Sequence, residues 1–208
     1  MSRPRVTILD YGAGNLRSVA KAFEHEGAEA VLTADPAVAA KAELLVLPGQ
    51  GHFGQCITRL RQAGLADAVH AHVNAGRPFL GICVGMQLLY EGSEEAPNAP
   101  GLGLLSGTVR RLRTELPLPH VGWNSVEWVR QAETDPLLAG VAGPEPRFFY
   151  HVHSYGVLES DGGTVLGRCT YDDTFASIVG RDNVWGIQFH PEKSQEDGLR
   201  ILRNFAEM

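Results

Sequence analysis

The 208-residue chain has no apolar run of about 18 residues, so nothing in it reads as a membrane-spanning helix. It has no Lys/Arg-rich run, and its 18 basic residues are outnumbered by 24 acidic ones. A net charge of −6 argues against a nucleic-acid partner. Cysteine is scarce. Cys56, Cys83 and Cys169 are an odd number without tight spacing, which excludes a disulfide framework and a cysteine zinc site. The pairs His70/His72 and His151/His153 lack the further ligands that zinc takes, so no metal is expected. The opening MSRPRVTILDYG runs into a strand pattern without an apolar signal core, and a cytoplasmic protein is expected. The length suits one domain covering 1–208, with no internal repeat.

In the first half, apolar runs alternate with helical spacing. RVTILDYG, AEAVLT, LLVLPG and RPFLGI read as strands. LRSVAKAFEHEG, FGQCITRLRQAG and LADAVHAHVNAG read as helices, with Leu16, Val19, Ala20 and Phe23 on one face of the first. Such alternation implies parallel βαβ units. The second half is strand-rich: GTVRRL, VGWNSVEWV, RFFYHVHSYGVL, TVLGRCTY, FASIVG and NVWGIQFH, with GRDN as a hairpin turn. Antiparallel pairing is expected there. SQEDGLRILRNFAEM closes the sequence as a helix, with Ser194 a candidate N-cap and Leu199, Leu202 and Phe205 facing inward. The fold class is therefore α/β: an open, twisted, mixed sheet flanked by helices, with antiparallel strands in the C-terminal half.

One pentapeptide stands out. Gly81-Ile82-Cys83-Val84-Gly85 lies where a strand turns into a helix, and it has the pattern of a nucleophile elbow with cysteine as nucleophile. Glycines two residues either side relieve the crowding of a sharp turn. The following helix would add positive potential that favours a thiolate. The pentapeptide alone is equally compatible with a buried structural cysteine. A thiol nucleophile needs a base, and a base needs an orienting group. WGIQFHPEKS supplies both, since His190 ends an apolar strand and Glu192 follows at i+2, on the same side of an extended chain. The N–H of Val84 is placed to receive an oxyanion. The loop Pro48-Gly49-Gln50-Gly51 follows the third strand, and Gly49 and Gly51 leave it free to turn a peptide N–H towards Cys83. Cys56 and Cys169 read as small core residues. Trp128 and Trp185 read as packing, and Arg110, Arg111 and Arg113 as a solvated strand face or part of a partner surface.

DYGAGNLRSV, LPGQGHFG, GICVGMQLLYEGSEEA, HVGWN, HVHSY and GIQFHPEKSQEDGLRILRNF together resemble the class I glutamine amidotransferases. More narrowly, they resemble the glutaminase subunits of imidazole glycerol phosphate synthase. The segments run from near residue 10 to near residue 205, so the resemblance spans one type 1 domain, 1–208. It implies hydrolysis of L-glutamine to glutamate and ammonia by a Cys83–His190–Glu192 triad, with no cofactor. It implies oxyanion donors at the N–H groups of Gln50 and Val84, and a substrate pocket that includes Gly49, Gly51, Gln87 and Ser154. A separate (β/α)8-barrel cyclase would receive the ammonia through an internal tunnel and make imidazole glycerol phosphate and aminoimidazole carboxamide ribotide for histidine synthesis. Asn15, Trp123, Tyr150 and Lys193 would face that partner. Val84 replaces the more usual leucine. His151 stands where an aromatic, often phenylalanine, is common, with packing or gating near the interface as the expected consequence.

Overall fold

The computed structural model describes residues 3–158 and 164–208. The first half follows the expected alternation: β1 (Arg5–Leu9), α1 (Leu16–His25), β2 (Glu29–Thr33), α2 (Pro36–Lys41), β3 (Leu44–Gly49), α3 (Phe53–Gln62), α4 (Leu65–Asn74) and β4 (Phe79–Cys83). Helix α2 was not anticipated. Its signal is the Asp35-Pro36 pair, in which the Asp35 carboxylate accepts from the Ala37 N–H and proline takes the first turn. Beyond the elbow come α5 (Val84–Gln87), β5 (Gly92–Ser93), β6 (Thr108–Arg111), β7 (His120–Trp128), β8 (Arg147–His153), β9 (Tyr155–Gly156), β10 (Val165–Tyr171), β11 (Asp173–Arg181), β12 (Val184–Ile187) and α6 (Gln195–Ala206). No helix among the described residues is long and apolar enough to cross a membrane.

The large sheet has the order β2-β1-β3-β4-β12-β11-β10-β7-β8. From β2 to β12 it is parallel, and from β12 to β8 antiparallel. The chain steps one way from β1 to β2 and the other way from β2 to β3 and β4. Right-handed crossovers therefore send α1 to one face and α2, α3 and α4 to the other. With both faces covered, every residue of β3 and β4 is buried. At the far edge of the antiparallel half, β7 and β8 are covered on one face only, and burial alternates along them.

Two expectations need correction. The stretch 147–158 is not one strand: it breaks at Ser154, and its second part, β9, joins β5 and β6 in a separate three-stranded sheet. The last strand, β12, is not simply part of an antiparallel region. It hairpins from β11 through a two-residue Asp182-Asn183 turn, then lies parallel to β4. For His151 the choice between packing and gating falls to packing. The residue points to the covered side of β8, opposite Tyr150, and is fully buried. Its Nδ1 lies 3.0 Å from the Phe149 carbonyl, so that nitrogen carries the proton, and its Nε2, 3.1 Å away, accepts from the Ser177 hydroxyl. The ring packs among His120, His153, Phe175 and Phe189.

These histidines are held neutral. Burial, and then the neighbouring imidazoles, push His151 well below the usual histidine range. Burial and His120 bring His153 down to about 3, and burial lowers His120. Above pH 6.5 neither the folded nor the unfolded chain protonates them. As pH falls below 6.5 the unfolded chain binds protons that the folded chain refuses, so stability drops. Replacing His151 with phenylalanine removes one such group. Urea unfolding at pH 8 and pH 5 is expected to show a smaller acid-induced loss for His151→Phe than for the parent; an equal loss would mean the cluster does not govern acid stability.

Candidate active site

The registers of three parallel strands build the site. Gly49 at the end of β3 lies opposite Cys83 at the end of β4. Ile187 of β12 pairs with Ile82, so the next residue, Gln188, reaches the level of Cys83 and His190 passes just beyond the sheet edge. That edge is where open α/β sheets bind ligands. Cys83 has φ 57° and ψ −115°, a conformation that side-chain-bearing residues rarely adopt. The flanking glycines are required by contact rather than by positive φ. A Cβ on Gly81 would sit 2.7 Å from the Gly85 carbonyl oxygen, one on Gly85 would strike the Leu47 carbonyl, and one on Gly49 would sit 2.6 Å from the Gly85 nitrogen. Gly49 is thus there for close approach, while Gly51, with φ 95° and open space around it, carries the turn.

Helix α5 is a single turn, which removes most of the expected helix-dipole contribution. What remains is local: the first N–H groups of that turn, Val84 included, have no intrahelical acceptor. Gln188 Nε2 lies 3.9 Å from the Cys83 sulfur.

His190 Nδ1 donates to Glu192 Oε1 at 2.9 Å, and the Glu192 side chain is 1% exposed. The contact was foreseen on the wrong geometry. The chain is not extended past His190: Pro191–Lys193 form a 3-10 turn, which swings the carboxylate back onto the ring. Ser194 does not cap α6 with its side chain. Its hydroxyl donates to the His190 carbonyl at 2.7 Å and accepts from the Tyr150 N–H at 3.0 Å, while the His190 N–H donates to the Tyr150 carbonyl at 2.9 Å. The turn is thereby riveted to β8. Gly198 lets α6 close on it, because a Cβ there would strike the Pro191 carbonyl. Burial tends to lower the His190 pKa, but hydrogen bonds and charge from Cys83 and Glu192 outweigh it and raise it to about 10. At neutral pH the imidazole is a cation beside the sulfur.

Cys83, Val84, His190, Gln50, Gly51, Gln87, Ser154 and Lys193 line one cavity of about 320 Å³. A cationic imidazole set between a cysteine sulfur and a buried carboxylate is an arrangement for cleaving an acyl bond through a thioester. Over residues 7–208 the sequence matches the family "Glutamine amidotransferase class-I". The chain belongs to the class I glutamine amidotransferases.

Among its relatives are proteins named imidazole glycerol phosphate synthase subunit HisH. That of Syntrophotalea carbinolica is 46% identical, covering 98% of this chain and 100% of the relative. That of Salinibacter ruber is 49% identical, covering 96% and 93%. Imidazole glycerol phosphate synthase hisHF of Emericella nidulans is 40% identical over 98% of this chain but 38% of its own length. A solved structure described as PurLQS from Thermotoga maritima superposes with a TM-score of 0.78 at 22% identity, covering 99% of each chain, which bears on the fold.

Of the residues foreseen as partner-facing in this amidotransferase, Trp123 and Tyr150 pair across β7 and β8 with rings 6.2 Å apart, and Lys193 Nζ lies 5.6 Å from the centre of the Tyr150 ring. Asn15 stands at the start of α1, after the loop in which Gly14 approaches Pro48 and Gly49, and α1 packs against the Pro191–Lys193 turn. Arg110 and Arg111 lie on β6 in the small sheet, away from this face. Sequence reasoning missed Glu95, Pro119, His153 and Tyr155 among the cavity residues, and Gln188 beside the sulfur. Gln188 was signalled by its place two residues before His190. Glu95 lies in a Pro/Gly-rich connector, and only tertiary contact through the Phe53 N–H, 2.7 Å from its carboxylate, brings it in. Among the described residues, no group of three or more His, Cys, Asp or Glu is arranged to hold a metal.

Because Glu192 helps to keep His190 protonated, Glu192→Gln is expected to move the alkaline limb of the pH–rate profile to lower pH. An unmoved limb would remove Glu192 from the triad.

Proposed function

We propose that the chain hydrolyses L-glutamine to L-glutamate and ammonia as the glutaminase subunit of an imidazole glycerol phosphate synthase, a cytoplasmic lyase–hydrolase heterodimer of histidine biosynthesis. The ammonia passes to a (β/α)8-barrel cyclase. The observation that carries the reading is the meeting of Cys83, on a strained strand-to-helix turn, with the His190–Glu192 pair in one cavity. The relatives named HisH, 46% and 49% identical across nearly their whole lengths, supply the narrower identity.

In the proposed reaction the Cys83 thiolate attacks the side-chain amide carbon. The N–H groups of Val84 and Gln50 receive the oxyanion. The His190 cation gives its proton to the departing ammonia, which leaves a glutamyl thioester on Cys83. Neutral His190 then takes a proton from water as it attacks, the C–S bond breaks, and glutamate departs with the thiolate and the His190 cation restored. Glu192 holds the imidazole by Nδ1 throughout. Gln87 spends both amide N–H groups inside the protein, on the Tyr155 carbonyl and on Gln188 Oε1, so its carbonyl oxygen is the end offered to a ligand donor. Together with the Glu95 carboxylate it suits the ammonium group of glutamine. Gly51 and Ser154 supply backbone walls, whereas Gly49 lies outside the cavity lining, opposite Cys83 in the strand register.

The partner reading rests on the uncovered face of the antiparallel half. Val121 is 56% exposed, Trp123 46% and Phe148 58%, and the register puts them on one face with Tyr150 and the cavity residue Val152. An apolar face continuous with a catalytic cavity suits a protein partner that must receive the product. The hisHF relative, of whose length this chain covers only 38%, fits an arrangement in which glutaminase and cyclase work side by side.

Cys83→Ala is expected to cut glutamine-dependent turnover of the complex by about a thousandfold or more, leaving ammonia-dependent synthesis within about twofold. If both activities vanish, Cys83 is structural. Trp123→Ala is expected to weaken cyclase binding at least about tenfold, as for a buried aromatic anchor. Titration calorimetry giving an unchanged Kd would move the interface elsewhere. Glutamate release by the isolated chain is expected to be low and to rise with cyclase and its nucleotide. Full activity of the lone chain would remove the need for a partner.

A further inference from the structure

The Gly49–Gln50 peptide carries the proposed oxyanion donor, and the carbonyls on either side of it are tied down by two side chains outside the triad. Tyr11, buried just beyond β1, donates its hydroxyl to the Pro48 carbonyl at 2.7 Å. Cys56, buried in the first turn of α3, directs its thiol to the Gln50 carbonyl at 3.4 Å. We propose that Tyr11 and Cys56 are positioning residues that bracket the Gly49–Gln50 peptide and so fix where its N–H points.

The physical reason lies in backbone geometry. A peptide unit is rigid and planar, so a loop moves by rotation about the single bonds at its Cα atoms. Opposite rotations about ψ of Gly49 and φ of Gln50 turn the intervening plane and leave its neighbours in place. Gly49 permits the ψ change. The Pro48–Gly49 plane is held through its carbonyl by Tyr11, and the Gln50–Gly51 plane through its carbonyl by Cys56. The Gln50 N–H then swings on a fixed axis and returns to a fixed point. Without a post, rotation spreads over residues 48–51 and the N–H loses its aim. Both posts rest on rigid supports. Tyr11 is buried in the core just beyond β1. The start of α3 is held by the Glu95 carboxylate on the Phe53 N–H and by the His52 carbonyl on the Cys56 N–H. Burial raises the pKa of Tyr11 and of Cys56, so both keep the protons they donate.

This inference rests on the glutaminase reading, and the test separates the two. In complex with the cyclase, Cys56→Ala is expected to lower kcat for glutamine hydrolysis about tenfold with KM within about twofold, since an oxyanion donor acts in the transition state. Cys56→Ser, which keeps a donor, is expected to restore kcat to within about threefold. Tyr11→Phe should behave like Cys56→Ala. Alkylation of Cys83 by iodoacetamide forms no oxyanion, so its rate should match the parent in all three variants. An unchanged kcat in Cys56→Ala overturns the proposal. So does a loss that serine fails to rescue, or one that alkylation shares, because either marks general damage to the site. If the parent complex releases no glutamate, the glutaminase reading itself falls and this inference with it.

Discussion

The rest of the site depends on one crowded crossing, where the turn after Cys83 packs against the end of β3. A side-chain-bearing residue at φ 57° and ψ −115° stores on the order of 1–3 kcal/mol of strain and persists only if its surroundings over-determine it. They do so here by contact. Gly81 and Gly85 close on one another, Gly85 lies under the Leu47 carbonyl, and Gly49 lies under the Gly85 nitrogen. None of the three positions has room for a methyl group. The absence of three Cβ atoms lets two strand ends and a helical turn share the space, and the sulfur is forced outward at the sheet edge.

The second partner reaches that edge by a different kind of control. β12 is paired on both sides, parallel to β4 and antiparallel to β11, so its position along the sheet is set by two ladders. Past its end, the chain is held by Ser194 and by backbone hydrogen bonds to Tyr150. The imidazole is thus fixed from the same strand, β8, that carries the exposed apolar face. A contact made on that face at Tyr150 or Trp123 adjoins the backbone that holds His190. Burial alone would have made His190 neutral. The adjoining sulfur and carboxylate reverse that and hold the proton on the imidazole.

The two halves of the sheet divide the work. The parallel half is covered on both faces and supplies rigid strand ends, which is what a fixed nucleophile requires. At the edge of the antiparallel half, β7 and β8 leave one face uncovered, where Val121, Trp123 and Phe148 are exposed. The buried imidazoles lie on the opposite, covered face of the same two strands, which is why His151 belongs to the core and Tyr150, one residue away, to the surface. A one-residue step on a strand changes the solvent a side chain meets.

From the sequence alone, what could be read was whatever depends on neighbours along the chain. The βαβ alternation, the glycine spacing about Cys83, and the pairing of His190 with Glu192 are local patterns, and they indicated the parallel half and the triad. Local pattern also misled. Glu192 was reached through an extended geometry that the Pro191 turn replaces, Ser194 looked like a helix cap because a hydroxyl before a helix usually is one, and Cys56 looked like filler. What those three side chains do was decided by segments far away in the sequence: Tyr150 for Ser194, the loop at Gln50 for Cys56, and β12 lying beside β4 for His190 and Glu192. Hydrogen bonds and strand registers between such distant segments form only when the whole sheet closes, because each is set by the shape of the partner surface rather than by the residues next to it.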